Sequence, residues 1–175
     1  AIRLAPDFTE AHNTLGNVLV ALGRTDEAET CFRRAIELRP DAAAAILNLG
    51  NIFKHRGDPV QAASCYRQAL DRQPNSAEAH MNLGTVLRAQ GDRREALACH
   101  QRALALLPDS AEVHHALGHV LSDVGRVNEA ADQYLEAGLR ALRSTNRARA
   151  SAVIAILARI DPAKAETLRQ KVFEG

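Results

Sequence analysis

Residues 43–76 read AAAILNLGNIFKHRGDPVQAASCYRQALDRQPNS, and residues 77–110 read AEAHMNLGTVLRAQGDRREALACHQRALALLPDS. The two stretches carry an L-G pair, a later glycine, an alanine and a closing proline at the same positions, 34 residues apart. A fixed period between about 20 and 50 residues indicates a repeat protein in which each unit packs against its neighbours. The positions that keep this step in four copies are Pro6, Pro40, Pro74 and Pro108; Gly16, Gly50, Gly84 and Gly118; Gly23, Gly57, Gly91 and Gly125; Ala28, Ala62, Ala96 and Ala130; and Leu15, Leu49, Leu83 and Leu117.

Each unit also has an E/Q-A step after the second glycine and an aromatic residue in most copies. A helix pair of about 34 residues is the tetratricopeptide length. The chain therefore resembles the tetratricopeptide repeat family over roughly residues 9 to 142. The resemblance implies an all-α fold, a right-handed solenoid of antiparallel helix pairs with about four full repeats and a C-terminal capping helix pair.

We interpret residues 1–175 as a single domain. Residues 1–8 are expected to end a preceding repeat, and the full repeats to occupy residues 9–42, 43–76, 77–110 and 111–143. Leu142 stands where the next proline is due, so residues 144–175 are predicted to be divergent capping helices that cover the end of the array. Because the chain starts without Met, inside the predicted end of a helix, we expect it to be a piece of a longer protein.

Net charge, apolar runs and cysteine spacing limit the kinds of partner and compartment that we expect for this chain. The net charge is +1, which gives no general attraction to nucleic acid or to a membrane surface. No apolar run approaches the roughly 20 residues that span a bilayer. Cys31, Cys65 and Cys99 follow the 34-residue step, and equivalent sites about 10 Å apart are too distant for a disulfide. We therefore expect a structural row of thiols, no disulfides, and a reducing, cytoplasmic compartment.

Helical periodicity divides each first helix into two faces. Positions 4, 7, 8 and 11 of each repeat are predicted to be buried, and polar residues after the prolines are predicted to cap the helices. The predicted buried set is His12, Leu15, Gly16 and Leu19; Ile46, Leu49, Gly50 and Phe53; His80, Leu83, Gly84 and Leu87; and His114, Leu117, Gly118 and Leu121. The predicted caps are Asp7, Asn75 and Asp109 for first helices and Asp58, Asp92 and Asp161 for later ones.

The opposite face is rich in asparagine, and the family resemblance places it on a concave groove. An asparagine amide both donates and accepts, so a row of them can hold a peptide backbone. The string NLGN at residues 48–51 is similar to repeats of the O-GlcNAc transferase superhelix, in which an asparagine ladder binds protein substrates. The alternative is that the asparagines solvate the helices or pack against the next repeat. The candidate groove residues are Asn13, Asn17, Asn48, Asn51, Lys54, Asn82, Thr85, Arg88, His115 and His119.

Other kinds of site are disfavoured. A clamp for acidic chaperone tails would need basic residues at repeat position 5, whereas Asn13, Leu47, Met81 and His115 stand there. His115 and His119 have metal-compatible i, i+4 spacing, but no further ligand completes a set, so no metal or cofactor is predicted. No nucleophile motif or phosphate loop occurs, so no enzyme activity is predicted.

The leading hypothesis is a peptide-binding or protein-binding module. The alternatives are a self-assembling scaffold and the substrate-recognition arm of a larger enzyme, such as a glycosyltransferase. A basic cluster in the tail offers an acidic partner a docking patch, against the simpler interpretation of a solvated helix face. Its members are Arg140, Arg143, Arg147 and Arg149.

Overall fold

A computed structural model describes residues 5–144 and 146–173, which form helices and turns with no strand among them. The chain divides into two compact units, Ala1–Gln90 and Gly91–Gly175. The first unit contains α1 (Ala5–Ala21), α2 (Thr25–Leu38), α3 (Ala43–His55), α4 (Pro59–Arg72) and α5 (Ala77–Gln90). The second contains α6 (Arg93–Leu106), α7 (Ala111–Asp123), α8 (Val127–Arg143), α9 (Arg147–Ile160) and α10 (Pro162–Phe173). The prediction of one domain and its repeat boundaries stays a prediction.

Three first helices, α1, α3 and α7, are each turned back onto the second helix of their pair at a glycine. Gly23, Gly57 and Gly125 have φ values of 75°, 75° and 80°, in the left-handed region that residues with a Cβ disfavour. The paired helices α1 and α2, α3 and α4, and α7 and α8 pack against each other after these turns. The 34-residue period in glycine thus reflects a repeated helix stop.

A second series of glycines lets the paired helices approach closely. A Cβ added at Gly50 would lie 2.8 Å from Cε1 of Tyr66, and one added at Gly118 would lie 2.8 Å from Cε1 of Tyr134. Both rings are buried, with exposures of 0% and 2%. The absence of a side chain on the first helix makes room for the aromatic ring from the second helix.

The predicted buried face is confirmed at most of its positions, with His12, Phe53 and His80 only half-buried and Leu15 exposed. In α7 all four predicted residues are buried, whereas Leu15 of α1 is 49% exposed. The equivalent Leu49 is only 7% exposed, because α2 packs against α3. Among the described residues, no helix covers Leu15 of α1 in the same way.

The cap predictions are confirmed for Asp58, Asp92 and Asp161, each of which accepts a hydrogen bond from a backbone N–H three residues later. The predictions of Asn75 and Asp109 as caps are wrong. Ser76 Oγ accepts from Ala79 N at 3.2 Å, and Ser110 Oγ accepts from Val113 N at 3.4 Å. The helices therefore begin one residue later than the polar residue after proline would place them. The side chain of Asp7 lies outside the described residues.

The end of the second unit forms its own core. Leu117, Tyr134, Val153, Leu157 and Leu168 are all buried in one apolar cluster that joins α7, α8, α9 and α10. The predicted run of α8 to Arg143 and the two further tail helices are confirmed.

The cysteines are free thiols. Cys65 and Cys99 are buried and Cys31 is half-buried, as an architectural role for this row predicts. Burial raises the pKa of the Cys65 thiol, which keeps it protonated near neutral pH.

Candidate functional site

Three asparagines of α1 and α3 contact one another on the face predicted to line the groove. Asn48 donates one amide hydrogen to Oδ1 of Asn13 at 3.0 Å and the other to Oδ1 of Asn17 at 2.9 Å. We call Asn13, Asn17 and Asn48 the asparagine cluster. The two residues on α1 are one helical turn apart, so a single amide on α3 reaches both. The cluster ties the first helices of successive repeats together.

A second polar network joins α3 to α5 and α4. Asn82 donates to Oδ1 of Asn51 at 3.0 Å, and its own Oδ1 accepts from Lys54 Nζ at 2.8 Å. The Tyr66 hydroxyl donates to the same Oδ1 of Asn51 at 2.7 Å, while Nδ2 of Asn51 lies 3.5 Å from Oε1 of Glu78. Burial raises the pKa of the Tyr66 phenol, so it remains a donor throughout the physiological range.

The two networks leave different groups open to solvent. Asn82 is 8% exposed, and both ends of its amide already form hydrogen bonds. In the asparagine cluster, by contrast, Nδ2 of Asn13, Nδ2 of Asn17 and Oδ1 of Asn48 make no hydrogen bond to the described residues. Asn17 is exposed, and the other two are half-buried. The cluster thus presents two donor groups flanking one acceptor.

Two clefts lie beside the cluster, on either side of the first turn of α3. The α1–α3 cleft has a volume of about 280 Å³ and includes Glu10 and Asn13 in its lining. The α3–α5 cleft has a volume of about 240 Å³ and includes Asn48 and Glu78. The two clefts share the wall formed by Ala43, Ala44 and Gln73.

The remaining predicted residues of the first unit lie farther along α5. Thr85 is exposed, and its hydroxyl donates to the carbonyl oxygen of Met81 at 2.9 Å. Arg88 is half-buried in the last turn of the same helix. The structure gives neither residue a contact with the asparagine cluster.

The second unit carries histidines at the corresponding place. The rings of His115 and His119 on α7 meet edge to face, with centroids 4.5 Å apart. The ring of Tyr134 on α8 completes the group, at 5.7 Å from His115 and 5.4 Å from His119. The Tyr134 hydroxyl and His119 Nδ1 are within hydrogen-bonding distance at 2.9 Å, and the tautomer of the imidazole decides which of them donates. We call these three residues the histidine cluster.

Burial lowers the pKa of His115 to about 4, and the nearby His119 and Arg149 lower it further in the same direction. The imidazole of His115 is therefore neutral at pH 7. Within the described residues, no group of three histidine, cysteine or acidic side chains has the arrangement of a metal site. His114, on the packed face of α7, is a core histidine, because its nitrogens contact Gln133 Oε1 at 2.7 Å and the Pro108 carbonyl oxygen at 2.9 Å.

The basic cluster of the tail is only partly available to an acidic partner. Arg140 forms an ion pair with Glu136, and its Nε lies 3.6 Å from Oδ1 of Asp109. Arg143 and Arg147 are exposed. The charge of Arg140 is thus partly balanced by acids of its own unit.

The sequence interpretation missed the tyrosine hydroxyls. The sequence pattern assigns no contact to the hydroxyls of Tyr66 and Tyr134, yet each hydroxyl contacts the residue at position 9 of its own repeat, Asn51 and His119 respectively. The signal was present as a tyrosine 15 residues after a polar position in both copies. No helix in the described residues is both long and apolar enough to cross a membrane.

Comparisons with known proteins agree with this architecture. The family model for the tetratricopeptide repeat matches residues 7–75, 41–109 and 75–150. No curated protein sequence matches the chain. Among solved structures, that of YrrB, described as a TPR protein with an unusual peptide-binding site, has a TM-score of 0.65 and 23% identity, over 91% of this chain and 90% of that chain.

Two further structures are similar at comparable levels. A crystal structure of MamA has a TM-score of 0.70 and 21% identity, over 92% of this chain and 96% of that chain. The first TPR of Spaghetti (RPAP3), bound to the HSP90 peptide SRMEEVD, has a TM-score of 0.66 and 19% identity, over 68% of this chain and 94% of that chain. At these identities the likenesses show the fold, and the predicted all-α solenoid of helix pairs is confirmed.

Proposed function

The chain belongs to the tetratricopeptide repeat family, and we propose that it is a protein-interaction module that binds an extended peptide through the asparagine cluster. The observation that carries the proposal is the pattern of open amide groups: Nδ2 of Asn13, Oδ1 of Asn48 and Nδ2 of Asn17. The two amide nitrogens can donate to peptide carbonyl oxygens, and the amide oxygen can accept from a peptide N–H. Such contacts recognise a backbone and tolerate many side chains.

The contacts among the asparagines are expected if these residues pack against the next repeat, and they also favour peptide binding. The bonds from Asn48 fix the side chains of Asn13 and Asn17, and a polar group held in place loses less side-chain entropy when a ligand binds. Three of the six amide nitrogen and oxygen atoms of the cluster are left without a hydrogen bond to the described residues and can contact a ligand. Asn51 and Asn82, in contrast, favour the packing interpretation, because their amides are engaged within the unit.

An acidic C-terminal peptide, such as the one bound to the similar RPAP3 domain, is a poor fit for the first unit. Position 5 of its first helices holds Asn13, Leu47 and Met81 rather than cations. Glu10 and Glu78 border the two clefts and would repel a carboxylate.

The proposal is tested with an array of synthetic ten-residue peptides of random sequence, probed with the purified chain. We expect the double variant Asn13→Ala/Asn17→Ala to bind its peptides about 5- to 100-fold more weakly, because two hydrogen bonds of roughly 0.5–1.5 kcal/mol each are lost. We also expect N-methylation of single backbone amides in a bound peptide to abolish binding at one or two positions. Replacement of its side chains with alanine should have smaller effects.

The matched control is Asn128→Ala, which removes an exposed asparagine from α8 in the second unit. It should leave the array pattern unchanged. If the double variant retains wild-type affinity while it remains folded by circular dichroism, the asparagine cluster does not bind peptides.

A second candidate function is self-association through α1. Phe8, Leu15 and Val18 of α1 are 56%, 49% and 50% exposed, and Leu22, directly after the helix, is 64% exposed, an unusual concentration of large apolar side chains. The same face of α3 is covered by α2, so a helix of a second copy is a suitable occupant. Light scattering over a concentration series tests this, with Leu15→Glu as the variant that should return the chain to a monomer.

The absence of catalysis, a cytoplasmic location and a role as the recognition arm of a larger enzyme remain proposals alongside this function.

A further inference from the structure

The two clefts beside the asparagine cluster are built alike. Each contains one carboxylate from repeat position 2 and one asparagine, namely Glu10 with Asn13 and Glu78 with Asn48. Both clefts use Ala43 and Ala44 as a common wall. The pairing of acid, amide and methyl-lined wall thus occurs twice, on either side of α3, next to the open amide groups.

The acids are not explained by helix capping alone. Glu78 lies in the first turn of α5, where the positive end of the helix favours an acid. Glu10, however, lies in the second turn of α1, which begins at Ala5. Both side chains are exposed, and neither forms an ion pair within the described residues. Each is therefore available to a cation from outside.

The charge balance of the clefts is negative. Glu78 is the one charged residue in the lining of the α3–α5 cleft. The α1–α3 cleft contains Glu10, Asp41 and Arg39, and Arg39 Nε lies 3.9 Å from Oδ1 of Asp41. Each cleft thus carries one carboxylate in excess.

The size and the walls of the clefts fit a long basic side chain. Volumes of about 240 and 280 Å³ accommodate the methylene stem of an arginine or lysine, which packs favourably on alanine methyl groups while its charged end stays near water. An arginine can also form paired hydrogen bonds with a carboxylate.

We propose that the two clefts are side-chain pockets for basic residues of the bound peptide, with Glu10 and Glu78 as their counter-charges. This inference rests on the proposed function, because the asparagine cluster would hold the peptide backbone between the two pockets. Neighbouring helices are about 8–10 Å apart, and residues three apart in an extended polyproline-type peptide are about 9 Å apart on one side. The preferred ligand is therefore an extended peptide with two basic residues three positions apart.

The experiment compares two ten-residue serine–alanine peptides, one with arginine at positions 4 and 7 and one with the neutral isostere citrulline at both. Fluorescence anisotropy with the full chain measures their dissociation constants. We expect the arginine peptide to bind at least about tenfold more tightly. Glu10→Gln and Glu78→Gln should each weaken its binding about three- to tenfold and leave the citrulline peptide unaffected.

Glu112→Gln is the matched control, since Glu112 occupies the same repeat position in the second unit and is equally exposed. It should not change either affinity. Equal affinity for the two peptides, both sensitive to Asn13→Ala/Asn17→Ala, would overturn the basic-pocket inference and leave the proposed function intact. Weakening by Glu112→Gln as large as by Glu78→Gln would overturn it too, as general charge attraction. Failure of both peptides to bind would contradict the inference and the proposed function together.

Discussion

The two units use the same contact with different chemistry. In the first unit the hydroxyl of Tyr66 on α4 contacts Asn51 on α3, and in the second the hydroxyl of Tyr134 on α8 contacts His119 on α7. Both tyrosines are buried against a glycine of the first helix. In both units a tyrosine of the second helix thus contacts the side chain at repeat position 9. That side chain is an asparagine in the first unit and a histidine in the second.

The difference matters because an amide does not titrate and an imidazole does. The asparagines of the first unit keep their hydrogen bonds at any pH at which the fold survives. The second unit places two imidazoles and a phenol within 6 Å of one another, and we therefore expect acid to affect this unit more than the asparagines of the first. The following predictions test this contrast in order of decreasing effect.

The largest effect should come from the two tyrosine rings, which we expect to be equivalent. Tyr66→Ala and Tyr134→Ala should each lower the free energy of unfolding by about 3–5 kcal/mol, because each opens a cavity beside a glycine that cannot fill it. Urea denaturation followed by circular dichroism measures the loss. A cost below about 1 kcal/mol for either variant would show that the ring is not part of the core.

A smaller effect is expected within the asparagines of the first unit. Asn82→Ala should lower the free energy of unfolding by about 2 kcal/mol, because it removes a buried amide that accepts from Lys54 Nζ and donates to Oδ1 of Asn51. Asn17→Ala should cost less than about 0.5 kcal/mol, since Asn17 is exposed. The same urea measurement compares them, and a larger loss for Asn17→Ala would reverse our division between structural and binding asparagines.

The division between structural and binding asparagines could not be predicted from the sequence. The 34-residue step predicted the helix pairs, the turn glycines and the tail helices, because local conformation and burial repeat with the sequence. It assigned Asn82 and Asn17 to one surface because both follow the same helical face. Only the positions of neighbouring helices reveal that Asn82 is bonded on both sides whereas Asn17 retains an open donor.

Two errors have similarly local causes. Asn75 was preferred as a cap because it is the polar residue directly after the proline. Ser76 is an equally good capping residue, and the choice between them depends on the geometry of the turn. Leu15 was predicted to be buried because it occupies repeat position 7 on the apolar face of its helix, but burial requires a neighbouring helix as well as an apolar residue. Periodicity identifies residues at equivalent repeat positions, but it does not show whether a neighbouring helix covers each of them.

The pH dependence should distinguish the units. Since the pKa of His115 is lowered to about 4 in the folded state, the unfolded chain binds a proton first as the pH falls. Its contribution to stability is complete above about pH 6.5 and is lost as the pH falls toward 4. Because the ring is partly exposed, we expect this loss to be roughly 1–2 kcal/mol.

Urea denaturation at pH 7 and pH 4.5 measures this contribution when the wild type is compared with His115→Gln. The variant should lose correspondingly less stability on acidification, because the groups that face position 115, namely His119, Tyr134 and Arg149, remain while the titrating ring is removed. His55→Gln, at an exposed histidine of the first unit, is the control and should follow the wild-type profile. Identical acid sensitivity of wild type and His115→Gln would refute the assignment.

A smaller effect than that of the tyrosine rings is expected from the tyrosine hydroxyls alone. Tyr66→Phe keeps the ring against Gly50 and removes the hydrogen bond to Asn51, so it should cost about 1 kcal/mol at pH 7. Tyr134→Phe should cost a similar amount at pH 7 through its contact with His119. Because Asn51 does not titrate, the cost of Tyr66→Phe should be the same at pH 7 and pH 5, and urea denaturation at both values measures it. A cost of Tyr66→Phe that changes with pH would mean that a titrating group, such as Glu78 beside Asn51, governs this contact in place of the amide.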